Sequence, residues 1–342
     1  MGRAHDALHP PAATDVLLAA TIARRFYLDN QSKTEIADEF RLSRFKVARM
    51  LEAAVALGIV RIDITVPAKI DAECSLALRE RYGLRYATVI DVCAEGGAAY
   101  SEPEMIRWLG AVAARLVSDV VDEGDVLGLA WGRSVDALGK AITKLATCEV
   151  VQLTGTHPNH WASEESIESV CRAAAVGGGT AYPIVAPLVV PNALTGSIVA
   201  KQPAIAATVA RYDRVTKAVV EIGAWSPTLS TVYDALTGPE RLGYRQLGVV
   251  AEVCGHLLDA RGRALPAGLH ERVISIEMAK LQKIPEVIGV AGGADKAEAI
   301  GAVLASGLLS GIVTDLTAAR RILSGPPERG GVLTRPDRKD GV

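Results

Sequence analysis

The sequence predicts an α/β protein in which an N-terminal winged helix-turn-helix is joined to a larger Rossmann-like domain built on a parallel sheet. Three observations predict it. Three helical segments, the second and third with capping residues, occupy the first sixty residues, and from about Leu84 short apolar strands alternate with amphipathic helical runs. The length of 342 residues, with 49% hydrophobic and 22% charged side chains, suits about two domains.

The first thirteen residues, MGRAHDALHPPAA, carry no apolar run of the kind a secretory signal needs and read as a loose tail. The first module is expected over 14–67. Its first helix is VLLAATIARRFY (16–27), where Leu18, Ala19, Ile22, Ala23 and Phe26 mark one face. After the break LDNQ, Ser32 and Glu35 have the spacing of a capping box for a second helix, KTEIADEF. Ser43 can cap a third helix from Arg44 to about Leu57, which Gly58 ends. IVRIDITVP then alternates as a strand that could form a wing edge, with Pro67 as its stop.

A helical pattern over 68–83 is expected to link and couple the two domains, and 84–323 to form the second domain. Its clearest strands are ATVIDV, DVLGLA, EVVQLT, AVVEIG and VIGVAGG, most of them followed by a glycine-containing turn and a helical run. The stretch 173–200 holds no charged residue, long enough for a membrane span. Pro183, Pro187 and Pro191 would break such a helix, so a turn, a buried strand and a loop are expected there. The C-terminal 324–342 is glycine, proline and charge without apolar period, and reads as a disordered tail.

Composition narrows the function. A net charge near −2, from 37 basic and 39 acidic residues, gives no global attraction to polyanions, so contact with one must come from a local patch. Five scattered cysteines without a C-x-x-C pair indicate neither zinc nor a redox centre and fit a reducing cytoplasm. His157 and His160 have metal-like spacing but no nearby third ligand, so no metal and no cofactor are expected.

The local patch is at IADEFRLSRFKVARML (36–51), where Arg41, Arg44, Lys46 and Arg49 fall together with no carboxylate among them. In a helix-turn-helix the second helix crosses the DNA backbone and the start of the third enters the major groove. Ile36, Ala37 and Phe40 would face Val47, Met50 and Leu51, and the small Ala37 lets the helices cross closely. The surface left over predicts DNA contacts from Lys33, Thr34, Arg41, Ser43, Arg44, Phe45, Lys46 and Arg49. Two residues depart from the usual pattern. Arg41 stands where glycine is common in the turn, and Phe45 is bulky; it could meet a thymine methyl or pack on the first helix.

In the second domain three strand-to-helix turns offer anion-binding geometry at the ends of parallel strands. They are Gly132, Arg133 and Ser134 after DVLGLA; Thr154, Gly155 and Thr156 after EVVQL; and Gly292, Gly293 and Lys296 after VIGVA. They can converge on one crevice. Trp131 can stack on a sugar face or fill the core.

The helix-turn-helix followed by LGIVRIDI, and an α/β domain containing LAWGRS, resembles the SorC family of sugar-binding bacterial transcriptional regulators. APLVV at 186–190, VCGHLLDARG at 253–262 and VIGVAGGADKAEAIGAVLASGLLSGIVTD at 287–315 strengthen the likeness, which covers roughly 16–323. The resemblance implies a domain similar to phosphosugar isomerases that binds a sugar, polyol or sugar phosphate, a double-stranded DNA operator as partner, and a homotetramer or homodimer. It also implies that Asp259 holds ligand hydroxyls, although Asp followed by Arg261-Gly262 is ordinary turn chemistry. No catalytic residue is expected. The rival readings are an isomerase using Asp259, Glu252 or Glu221, where the sequence displays no compact acid-base cluster, and a DNA-binding oligomer without ligand.

Overall fold

The computed structural model describes residues 13–60, 69–92, 101–156, 160–266 and 268–325. The chain divides into two compact units, Met1–Pro67 and Ala68–Val342.

The first unit holds three helices: α1 (Ala13–Tyr27), α2 (Lys33–Phe40) and α3 (Arg44–Ala56). Its core is Ile22, Ile36, Val47, Leu51 and four alanines at 19, 23, 37 and 54, all buried. Burying each branched side chain contributes about 1.5–3 kcal/mol. Because half of the core is alanine, the helices approach closely. Met50 and Phe40 pack at its edge, as the sequence pattern requires. After α3, Gly58 takes φ 70° and the Val60 N–H returns to the Ala54 carbonyl at 3.0 Å. The expected wing strand falls mainly on 61–68, outside the described residues.

The second unit begins with β1 (Lys69–Ile70), α4 (Ala72–Tyr82), β2 (Tyr86–Asp91), α5 (Glu102–Val120), β3 (Val126–Leu129) and α6 (Arg133–Ala141). There follow β4 (Glu149–Gln152), α7 (His160–Gly177), β5 (Ala181–Tyr182), α8 (Ala193–Ala200), α9 (Pro203–Val209) and β6 (Lys217–Ala224). The chain continues through α10 (Thr231–Ala235), α11 (Gly238–Gln246), the hairpin β7 (Val249–Val253) and β8 (His256–Asp259), and α12 (Met278–Leu281). It closes with β9 (Glu286–Val290), α13 (Ala297–Ala305), β10 (Gly311–Asp315) and α14 (Leu316–Ser324).

The sheet runs β1-β2-β10-β9-β6-β3-β4-β5, parallel from β2 to β5, with β1 antiparallel at one edge. Alternate residues of each strand feed two separate cores. Val89, Val220, Val287 and Ile312 face the side covered by α4, α13 and α14. Ile90, Val219, Ile288 and Val313 face the side covered by α5, α6 and α7. This is the two-faced Rossmann-like arrangement that the strand–helix alternation predicts.

Two expectations need revision. The helix expected as a linker, α4, is an element of the second unit: Leu78 is fully buried in its core and Arg81 donates to the Leu323 and Gly325 carbonyls at 2.9 and 2.8 Å. The uncharged stretch 173–200 ends α7 and forms all of α8, with β5 and the proline-bearing segment between them. Helix α8 is capped by Asn192, whose side chain accepts from the Thr195 N–H, and a run without charges hides that helix from periodicity. Among the described residues no helix is long and apolar enough to cross a membrane.

Candidate functional site

In the first unit the local chemistry of α2 and α3 presents a basic surface. Ser32 and Glu35 close a capping box: the Glu35 N–H donates to Ser32 Oγ at 3.2 Å and the Ser32 N–H to Glu35 Oε2 at 2.7 Å. The Glu35 carboxyl is held below the usual carboxylate range by these bonds from Ser32. Ser43 Oγ accepts from the Lys46 N–H at 3.2 Å and fixes the start of α3. Between the helices Arg41 takes the left-handed conformation, φ 53° and ψ 42°, and its N–H returns to Ala37 and Asp38. The turn therefore keeps the geometry usually given to glycine, at a cost of about 1 kcal/mol for a residue with a Cβ.

Arg41, Ser43, Arg44, Phe45, Lys46, Arg49 and Thr34 are exposed; Lys33 is half-buried with its ammonium 5.6 Å from the centre of the Phe26 ring. Phe45 is 86% exposed, so it does not pack on α1. The neighbouring carboxylates Asp29 and Glu39 are engaged by Arg25 at 3.1 and 3.0 Å. Among the described residues no carboxylate pairs with Arg41, Arg44, Lys46 or Arg49. Four cations and one large apolar ring thus share an open face at the start of α3.

In the second unit a cavity of about 500 Å³ opens above the ends of β3 and β6 and beside the β7–β8 hairpin. Gly132, Arg133, Trp131, Thr154 and Lys296 line it, as the turn geometry predicts. Thr154 Oγ1 accepts from the Trp131 N–H at 2.8 Å, tying the first turn to the second.

Other predicted residues stand elsewhere. Gly155 and Thr156 are pinned to the segment before α8, with the Thr156 N–H on the Ala186 carbonyl at 2.9 Å, and a Cβ on Gly155 would strike the Pro187 carbonyl. Gly292 and Gly293 face Asp315 and α5; the Gly293 N–H donates to Asp315 Oδ1 at 2.6 Å. Asp259 accepts from the Arg261 and Arg263 N–H groups at 3.0 and 2.9 Å and from Arg263 Nε at 2.8 Å. It is the turn residue of its own hairpin and does not line the cavity. Ser134 is buried behind the wall and reaches the site through a carboxylate. Of the third turn only Lys296 reaches the cavity.

The residues that sequence reasoning undervalued form its floor. Glu221, in the middle of β6, accepts from the Ser134 N–H at 2.8 Å, the Ser134 hydroxyl at 3.2 Å and Lys296 Nζ at 2.7 Å. Glu252, on β7 opposite Gly223, accepts from the Gly255 N–H at 2.8 Å and the Ser230 hydroxyl at 3.2 Å. Burial raises the Glu252 pKa, against the lowering pull of those bonds and of Lys296. The sequence displays no compact acid-base cluster, yet β6 and β7 bring Glu221, Lys296 and Glu252 together.

Two wall residues, Thr228 and Cys254, have positive φ of 63° and 50° without being glycine. Thr228 is anchored by its N–H on the Asp234 carboxylate at 3.1 Å, while Cys254 and Gly255 form the left-handed pair of the β7–β8 turn. Such strained positions are found where a surrounding structure holds a site in shape.

No cluster of three metal-binding side chains occurs among the described residues. His157 lies outside them.

Comparison with known proteins places this geometry. The relative named "Uncharacterized transcriptional regulator YjhU" of Escherichia coli (strain K12) is 29% identical over 296 residues, 85% of this chain and 88% of its own length. The transcriptional regulator LsrR of Enterobacter sp. (strain 638) is 26% identical over 320 residues, 92% of this chain and 94% of its own. Among solved structures, the full-length sorbitol operon regulator SorC from Klebsiella pneumoniae superposes with a TM-score of 0.66 at 24% identity, covering 91% of this chain and all of that one. The resemblance to the SorC regulators is thereby borne out. The family described as "Putative sugar-binding domain" matches residues 67–324, a span that contains every residue lining the cavity. By that match the chain belongs to the sugar-binding domain family.

Proposed function

We propose that the protein is a transcriptional regulator whose affinity for a double-stranded DNA operator changes when a sugar or polyol, free or phosphorylated, occupies the second-unit cavity. One observation carries the reading: the chain combines an unpaired basic face on a capped helix-turn-helix with a walled polar cavity in a sugar-binding domain. Arg44, Lys46 and Arg49, with Arg41 at the turn, supply phosphate and base-edge donors, and exposed Phe45 offers apolar contact to a thymine methyl. Lys33, Thr34 and Ser43 stand at the helix starts where backbone phosphates pass. In the cavity Trp131 provides an aromatic face, and Thr154, Glu221, Glu252 and Lys296 provide hydrogen-bonding groups for hydroxyls.

The carboxylate–lysine cluster gives the isomerase reading more substance than the sequence does, but the relatives with which the chain shares most of its length are regulators. A cytoplasmic homo-oligomer is the setting this reading requires, since one helix-turn-helix spans few base pairs and paired half-sites stand about 34 Å apart. The test is a thermal-shift screen of the full chain against free and phosphorylated sugars and polyols, with operator binding and turnover measured for each hit. A stabilising ligand that alters DNA affinity and is recovered unchanged is the expected result. A hit that is converted to product, or DNA affinity indifferent to every hit, overturns it.

A further inference from the structure

Resting on that reading and narrowing it, we propose that Glu221 is a built-in anion that fills a phosphate-type position of the cavity, so that the site takes an uncharged, hydroxyl-rich ligand and rejects phosphate esters.

The donors around Glu221 are the set that proteins use for phosphate. A backbone N–H at the first turn of α6, a hydroxyl and an ammonium converge on one point from Ser134 and Lys296. That point is held by the chain's own carboxylate. Lys296 is 6% exposed and Glu221 is only slightly more open, so the pair is an enclosed ion pair and not a surface contact that solvent would loosen.

The surrounding backbone leaves room for a side chain at 221. Gly132 packs directly on Glu221: a Cβ there would collide with the Cβ and Cγ of Glu221. Arg133, the other cation on the wall, pairs with Glu102 at 2.7 Å at the exposed rim. Four carboxylates, Asp136, Glu221, Asp234 and Glu252, thus line the cavity against two cations, and both cations already have acidic partners. A phosphate monoester would bring about two further negative charges to a wall that already carries more acids than cations. A polyol meets no such conflict. Its hydroxyls donate to Glu221 or Glu252 and exchange bonds with Thr154 and Ser230, while a ring or chain face lies on Trp131.

The experiment uses the full-length protein and two variants, Glu221→Gln and Glu221→Ala, titrated calorimetrically with inorganic phosphate, with free hexoses and hexitols, and with their 6-phosphates. Far-UV circular dichroism and urea unfolding confirm that each variant is folded. The wild type is expected to bind only unphosphorylated members of the panel. Glu221→Ala, which releases Ser134 and Lys296, is expected to bind inorganic phosphate or a 6-phosphate about ten- to a hundredfold more tightly than wild type, the factor a charge-assisted hydrogen bond confers. The isosteric Glu221→Gln should move in the same direction by less. Wild-type preference for a 6-phosphate overturns the assignment and leaves the sugar reading standing, and this arm needs no variant. Phosphate binding that does not improve in either variant also overturns it. A gain of phosphate binding in Glu221→Ala, with no free sugar or polyol bound by the wild type, upholds the role of Glu221 and defeats the sugar reading.

Discussion

The two units treat charge in opposite ways. On the helix-turn-helix, Arg41, Arg44, Lys46 and Arg49 project into solvent with no carboxylate partner among the described residues. In the cavity, Lys296 and Arg133 are each paired to an acid, and Glu221 collects three donors. Exposed cations cost little while solvated and keep their field available for an outside polyanion. An enclosed charge must be balanced within the fold, as Lys296 balances Glu221, so whatever binds beside the pair meets a wall whose buried cation is already engaged. The pairing state of a charge is therefore more informative about its partner than its sign.

The contrast is broken most severely at Lys296. Lys296→Met leaves Glu221 enclosed without its counter-charge, and the second unit should lose about 3–5 kcal/mol, seen as a lowered urea midpoint. A loss below about 1 kcal/mol would mean that the pair is solvated and the contrast false. Next comes the open face. Arg44→Ala and Arg49→Ala should each weaken operator binding by about 1–3 kcal/mol and flatten its salt dependence, with stability and cavity binding unchanged. Equal weakening of random duplex would assign these arginines to phosphates, and unchanged binding would remove them from the interface.

A smaller effect sharpens the description of the turn. Arg41→Gly should relieve the left-handed strain and raise stability by about 1 kcal/mol while weakening DNA binding through the lost charge; a fall in stability would show that Arg41 packs usefully. The smallest concerns His256, whose Nε2–H donates to the Ile276 carbonyl at 2.8 Å and whose pKa burial depresses below 6.5. The folded state disfavours the protonated ring, so its stabilising contribution is complete above about pH 6.5 and fades as pH falls below that value. Urea midpoints at about pH 7.5 and about pH 5.5 should differ by less in His256→Gln than in the wild type.

Much of the fold is legible because local signals agree. The Ser32–Glu35 box, the Ser43 cap and the small Ala37 each place a boundary or a crossing that the structure contains. The strand–helix alternation likewise gives the two-faced sheet. The cavity is less legible because its floor comes from tertiary pairing. Glu221 and Glu252 each interrupt an apolar strand, a signal that a buried partner is required, but only the antiparallel register of β6 and β7 brings them to one place. Asp259 shows the reverse case. Its turn chemistry accounts for all its observed bonds, and the ligand role drawn from family resemblance has no geometric support in the cavity. Gly292 and Gly293 stand outside the cavity for a similar reason: the end of a parallel strand can turn toward a neighbouring helix as readily as toward a crevice.

The contact of Gly132 with Glu221 also constrains how this protein can change over time. A glutamate at 221 is tolerated in its present pose only while position 132 lacks a side chain. A Cβ at 132 would meet the Cβ of Glu221 at 2.3 Å, so only a change of Glu221 to glycine makes room for a residue at 132. Substitutions at these two positions are therefore ordered, and among descendants of this sequence a side chain at 132 should be found only where position 221 has already become glycine.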